Sequence, residues 1–343
     1  MSMDELKNSI KKEFSTTQSY DVANNRVDKP KEISNLFELE DISRRIEELQ
    51  SQIKKISNDS SITEDSKLMK TQKISEEINN LKSRLTAGIH VDFSKIKIEI
   101  SNSIINFLKP YGYTEEIIKQ KLNNVEFHVT NERLNSGGLM SAVDHRIGID
   151  YSCIEFDQNG NVIGIKEEQS EFIKYVLTHE FLHVCSNNSS KSHMNEALSE
   201  GLTDMFAVMI TGNNEGKSKW YDMFAKIGVL FSNIVGIENI VTDYFSNLDT
   251  TPNIRGLFHD ELSFLEFFQG SDEILKLKMA KADETTISTM QIELVNNIKE
   301  NIFISFLKSQ ENKEKYIELF NNLFSEYGIT CSLEEVKDES KNI

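Results

Sequence analysis

The sequence predicts an α+β fold: a small, mostly antiparallel sheet followed by a helical bundle, preceded by an N-terminal helical hairpin. Three observations predict it. Proline and glycine are scarce, 3 and 15 among 343 residues, which favours helix. Segments with strand-like alternation cluster between about 124 and 166. Beyond Ser170 nearly all apolar residues recur at helical spacing, and no βαβ alternation links the two regions.

The elements follow in order. Residues 1–30 show no steady period and read as a mobile arm. Leu39, Ile42, Ile46, Leu49, Ile53 and Ile56 step by three and four, so they share one helical stripe. A polar joint at 57–66 interrupts it, and Ile74, Ile78, Leu81 and Leu85 begin a second stripe. Residues 31–88 therefore read as a helical hairpin, an accessory element or pro-segment. Its apolar seam needs cover from the rest of the chain or from a helical partner. Residues 94–112 read as a helix stopped by Pro110 and Gly112. Strands are expected at 124–130, 146–152 and 162–165, the last after the turn at 157–161. Residues 89–330 form the main domain in this reading, and 331–343 a C-terminal tail.

Composition excludes several classes. A formal net charge of −17 disfavours nucleic acid and anionic membrane, both of which need basic patches. With 38% hydrophobic and 27% charged residues the chain reads as soluble and globular. No apolar run approaches the roughly 18 residues of a membrane span. The polar start MSMDELKNSIKKEFSTTQSY lacks the apolar region of a cleaved signal, so a cytoplasmic location is expected, or export by a route without one. Cys153, Cys185 and Cys331 are widely spaced and odd in number, the pattern of free thiols.

The chemistry concentrates in residues 171–210. Phe172, Val176, His179 and His183 are spaced by four, three and four, on one helical face. The two histidines stand one turn apart, roughly 6 Å along the axis. At that separation both imidazoles can reach one metal ion at about 2.0–2.1 Å. Glu180 lies on the flank of the pair, placed to take a proton from water without coordinating. This is an HExxH pattern on a predicted helix. With 7 histidines among 343 residues, its chance occurrence is on the order of 1%. A lone histidine on an apolar face is more often packed core, but a pair in this register with a glutamate between is not. The position six residues after His183, where a third histidine would sit, is Ser189. After a polar loop, a second helix starting near His193 carries Glu196, Glu200 and Asp204, each four apart and on one face. A carboxylate from this returning helix can complete a His, His, Glu site.

On His179-Glu180-Phe181-Leu182-His183 and Glu200-Gly201-Leu202-Thr203-Asp204 the chain resembles the gluzincin, or thermolysin-like, zinc metallopeptidases. The resemblance is specific over roughly 170–212 and implies a zincin-like architecture for the main domain. It implies one catalytic zinc held by His179, His183 and Glu200, and Asp204 holding the first histidine. Asn195-Glu196 through Glu200 also fits the family's pattern, with Glu196 as ligand. The longer connection from His183, 17 residues rather than 13, favours Glu200 because it lets the second helix fold back over the first.

The implied activity is peptide-bond hydrolysis on a peptide or protein substrate, with Glu180 as general base. Family members stabilise the oxyanion with a downstream Tyr or His, for which Tyr244 and His259 are the candidates. The resemblance also suggests that strand 146–152 is an edge that pairs with extended substrate. The glycines at 136–140 read as a turn or a moving loop. The hairpin could cover the cleft as an inhibitory segment. No cysteine precedes Cys153, so it cannot do so through a thiolate. Two other readings compete: an intracellular regulatory protease cutting one partner, and a helical effector or scaffold with a structural or inactive zinc site.

Overall fold

A computed structural model describes residues 33–130, 138–141, 146–186, 194–213, 219–245 and 251–338. The expected arm at 1–30, the loop at 187–192 and part of the segment at 136–140 lie outside these residues. The described chain is mostly helical with a small sheet, a mixed class as expected.

Helix α1, Leu36–Asn58, opens on Asn35, whose side chain accepts from the Glu38 N–H. Its buried residues are Leu39, Ile42, Ile46 and Leu49, the stripe read from the sequence. Helix α2, Glu64–Ala87, returns against it and ends at Gly88. There φ is +60°, and a Cβ would come within 2.5 Å of the Val129 carbonyl oxygen. Only glycine meets both demands without strain. The hairpin is tied down at its base: Ile33 N–H donates to Gly88 O, Leu36 N–H to Gly160 O, and Arg84 pairs with Glu38. Its apolar stripe belongs to the same core as the sheet, so the rest of the chain supplies its cover.

The main sheet has four strands: β1 (Ile89–Val91), β2 (Glu126–Thr130), β3 (Gly138–Ser141) and β4 (Arg146–Asp150), in the order β1-β2-β4-β3. The central pair β2–β4 is parallel and the two outer pairings are antiparallel. Strands β5 (Ile154–Phe156) and β6 (Val162–Ile165) form a separate antiparallel hairpin. Three of these strands, β1, β3 and β5, were not read from the sequence. At three or four residues they are too short for alternation to register. One expectation is corrected. The strand at Arg146–Asp150 is not an edge, because β2 and β3 pair with it on both sides; the edges are β1 and β3.

One sheet face carries Phe127, Val129, Ile147 and Ile149, all buried. Between α2 and the sheet's remaining strands, the chain adds α3 (Ser94–Leu108) and α4 (Glu115–Leu122). Helix α5, Ser170–Ser186, packs on α3, α4 and the edge strand β3. The Phe127 ring stacks on Phe181 of α5, centroids 5.9 Å apart. Helices α6 (Glu196–Thr211) and α7 (Asp222–Val235) follow in close contact. Their approach is made by absent side chains. A Cβ on Gly201 would lie 2.4 Å from Phe224 Cβ, and one on Gly228 2.7 Å from Leu202 Cδ2.

The remaining helices are α8 (Ile237–Phe245), the short α9 (Pro252–Arg255), α10 (Glu261–Met279), α11 (Glu284–Ile298), α12 (Ile304–Lys308), α13 (Lys313–Phe324) and α14 (Leu333–Asp338). A π-helical turn, Lys299–Phe303, joins α11 to α12. Helix α14 lies within the segment read as a tail, and both Cys331 and Val336 there are buried. Among the described residues no helix is long and apolar enough to cross a membrane.

Candidate metal centre

Helix α5 presents Tyr175, His179 and His183 at intervals of four, and the two imidazoles meet edge to face with centroids 4.8 Å apart. Helix α6 answers from above. Its N-cap is Asn195, whose side-chain oxygen accepts from Leu198 N–H and whose amide donates to Phe268 O (2.7 Å) and Ser271 Oγ (3.1 Å). The Ala197 N–H donates to Asp272 Oδ1 at 3.1 Å. These bonds pin the start of α6 to α10. They also decide which glutamate faces the histidines. Asn195 is consumed as a cap, Glu196 sits exposed in the first turn, and Glu200 one turn later faces the histidines.

The donor atoms of three residues converge. His179 Nε2 is 3.1 Å from His183 Nε2 and 3.1 Å from Glu200 Oε2, and His183 Nε2 is 3.3 Å from Glu200 Oε1. Ligands held tetrahedrally at about 2.05 Å stand roughly 3.3 Å apart. These contacts are near that spacing, the two to Glu200 running to different carboxylate oxygens, and the group could hold a metal ion. The charges agree. Glu180, Glu200 and Asp204 cluster here, and among the described residues no lysine or arginine pairs with any of them. Burial resists ionisation of Glu200, but His183 and His179 outweigh it and hold its carboxyl far below the usual range. Burial likewise resists charging of His179, yet its bonds to Asp204 and Glu200 raise it well above an ordinary histidine. A cation in the middle would offset the Glu200 charge in the same sense as the histidines do.

Glu180 is not among the converging atoms. It lies beside them, and burial raises its pKa against the pull of His179 and His183. Asp204, 1% exposed, accepts from the Tyr175 hydroxyl at 2.5 Å and lies 2.8 Å from His179 Nδ1, both through Oδ1. Its Oδ2 is buried with no partner.

The two residues expected to stabilise an oxyanion are not brought to the donors. Tyr244 is wholly buried and its hydroxyl is bonded to Thr203 Oγ1, so it cannot reach a substrate. The His259 side chain is 90% exposed beside Asp260, outside the cluster. The phenol that does border the site is Tyr221, just before α7. Its ring lies parallel to that of His179, 6.1 Å between centroids with 16° between planes. Burial raises its pKa, and so do Glu200, Asp204, Glu180 and Glu196, the carboxylates around it. The i,i+4 spacing from His179 could have pointed to Tyr175. Tyr221 carries no local signal, because it arrives on another helix. The contacts of the site come from α5, α6 and the start of α7, and among the described residues none comes from the hairpin at 33–88.

A mostly helical chain with a small sheet and a buried His-His-Glu group is the class that fold and site define. No known protein family, curated protein or solved structure matches the chain.

Proposed function

We propose that the chain is a zinc-dependent endopeptidase of the gluzincin type with a zincin-like main domain. The observation that carries this is the convergence of His179, His183 and Glu200, whose closest donor contacts are 3.1, 3.1 and 3.3 Å, with Glu180 beside them. A structural zinc site closes with four protein ligands, whereas the three that converge among the described residues leave a position open to water and substrate. That difference favours catalysis over a scaffold with an inert metal.

When bound, zinc supplies Lewis acidity, which acidifies water and polarises a carbonyl oxygen. Glu180 takes the proton of the attacking water and returns it to the leaving amine. Asp204 holds His179 by its Nδ1 side, leaving Nε2 for the metal. Tyr221 donates its phenolic hydrogen to the oxygen on which negative charge develops. Strand β3 packs beside α5 and pairs only with β4 among the described residues, so its other edge offers an extended peptide a place to add as a strand.

The test combines metal analysis with a peptide library. Wild type is expected to hold one zinc per chain and to cleave. Glu180→Gln should keep the zinc and lose cleavage by ~100-fold or more. A wild-type chain that binds no zinc, or that binds one and cleaves nothing in the library, sinks the reading.

A further inference from the structure

We infer that Tyr175 is a positioning residue for the ligand His179, acting through Asp204; the inference rests on the metal-centre reading above. Tyr175 lies one turn before His179 on α5 and is 2% exposed. Its hydroxyl and the Nδ1 of His179 converge on a single oxygen, Asp204 Oδ1, at 2.5 and 2.8 Å. The other oxygen, Oδ2, is equally buried and has no partner.

This lopsided arrangement carries the argument. A carboxylate oxygen offers about two lone-pair sites, and here both are taken. Burial and the Asp204 charge hold the Tyr175 phenol protonated, so toward this carboxylate it can only donate. Asp204 therefore cannot turn Oδ2 toward the histidine without breaking two buried bonds. With one lone pair filled by the phenol, the other is left for a donor, and the donor at hand among the described residues is His179 Nδ1–H. When His179 gives up its second proton to bind a metal, that tautomer leaves Nε2 free on the side that faces His183 and Glu200, as a ligand must be. Packing alone does not require the phenol oxygen, because a phenylalanine ring would fill the same space.

The experiment compares wild type, Tyr175→Phe, Asp204→Asn and the double variant, measuring zinc affinity by chelator competition and the visible spectrum of the cobalt-substituted protein. Tyr175→Phe removes one atom and should keep the far-ultraviolet dichroism and the single-zinc stoichiometry. Its zinc affinity should fall about 10–100-fold, with a shifted cobalt spectrum. In the Asp204→Asn background the same change should add less than about twofold, since the pathway to His179 is already cut. Equal affinity and an unchanged spectrum for Tyr175→Phe overturn the inference while leaving the metal centre standing. So do losses that simply multiply in the double variant, the mark of an independent structural effect. A wild type that binds neither ion overturns the metal centre and this inference together.

Discussion

Three phenols lie in or behind the candidate metal centre, and they differ in what their hydroxyls do. Tyr175 and Tyr244 are bonded within the protein, to Asp204 and Thr203. Among the described residues, the hydroxyl of Tyr221 has no such bond. Tyr221→Phe is therefore expected to lower kcat by ~100-fold while zinc stoichiometry and KM hold; steady-state kinetics showing an unchanged kcat would remove Tyr221 from the chemistry. Tyr244→Phe should leave kcat alone and cost about 1 kcal/mol of stability through the lost Thr203 bond, readable as a lower denaturation midpoint. The histidine pair was legible because a one-turn separation is a local property of a helix. Tyr221 was not, because its place over His179 is decided by how α7 crosses α6.

That crossing is set by Gly201, next in sequence to Glu200. A methyl group there would meet both the side chain and the backbone of Phe224 below 3.0 Å. Gly201→Ala should destabilise by about 1–3 kcal/mol and displace the carboxylate beside it, so thermal unfolding and zinc affinity should fall together. An alanine variant with wild-type midpoint would show that α7 moves aside freely. At the hairpin, the controlling group is Glu38. The Ser34 backbone N–H and hydroxyl, then Arg84, bring its pKa down to about 2, against some opposing burial. Because the folded value lies below the ordinary 4.5, the native state binds fewer protons in between. Its stabilisation is complete above pH 4.5 and is lost as pH falls toward 2. Glu38→Gln should be less stable than wild type at neutral pH, with the gap closing across that window in pH-dependent melts. A gap that stays constant down to pH 2 would dissociate Glu38 from the acid response.

At the scale of the molecule, the sequence foretold the long helices better than the sheet. Leu39, Ile42, Ile46 and Leu49 announce α1 because three successive helical spacings outweigh local noise. Strand β1 has only Ile89, His90 and Val91, and becomes a strand because β2 lies alongside. Its pairing is a property of the assembled fold and leaves no trace in three residues. The buried carboxylates of the centre, by contrast, make a prediction for the whole chain. Removing zinc with a chelator should lower the melting temperature, since zinc at a thousandfold above its Kd adds about 4 kcal/mol. A melting temperature indifferent to chelator would mean that the native state holds no such ion.

The junction at Gly88 has a mechanical consequence. The second helix of the hairpin passes into strand β1 with only Gly88 between them, and Ile33 at the other leg is bonded to Gly88 itself. Pulling the hairpin away would peel an outer ribbon from the sheet, so the element behaves as a buttress and not as a detachable cap. A protease that nicks its tip near Asp59 should yield two fragments that still migrate as one particle under native conditions.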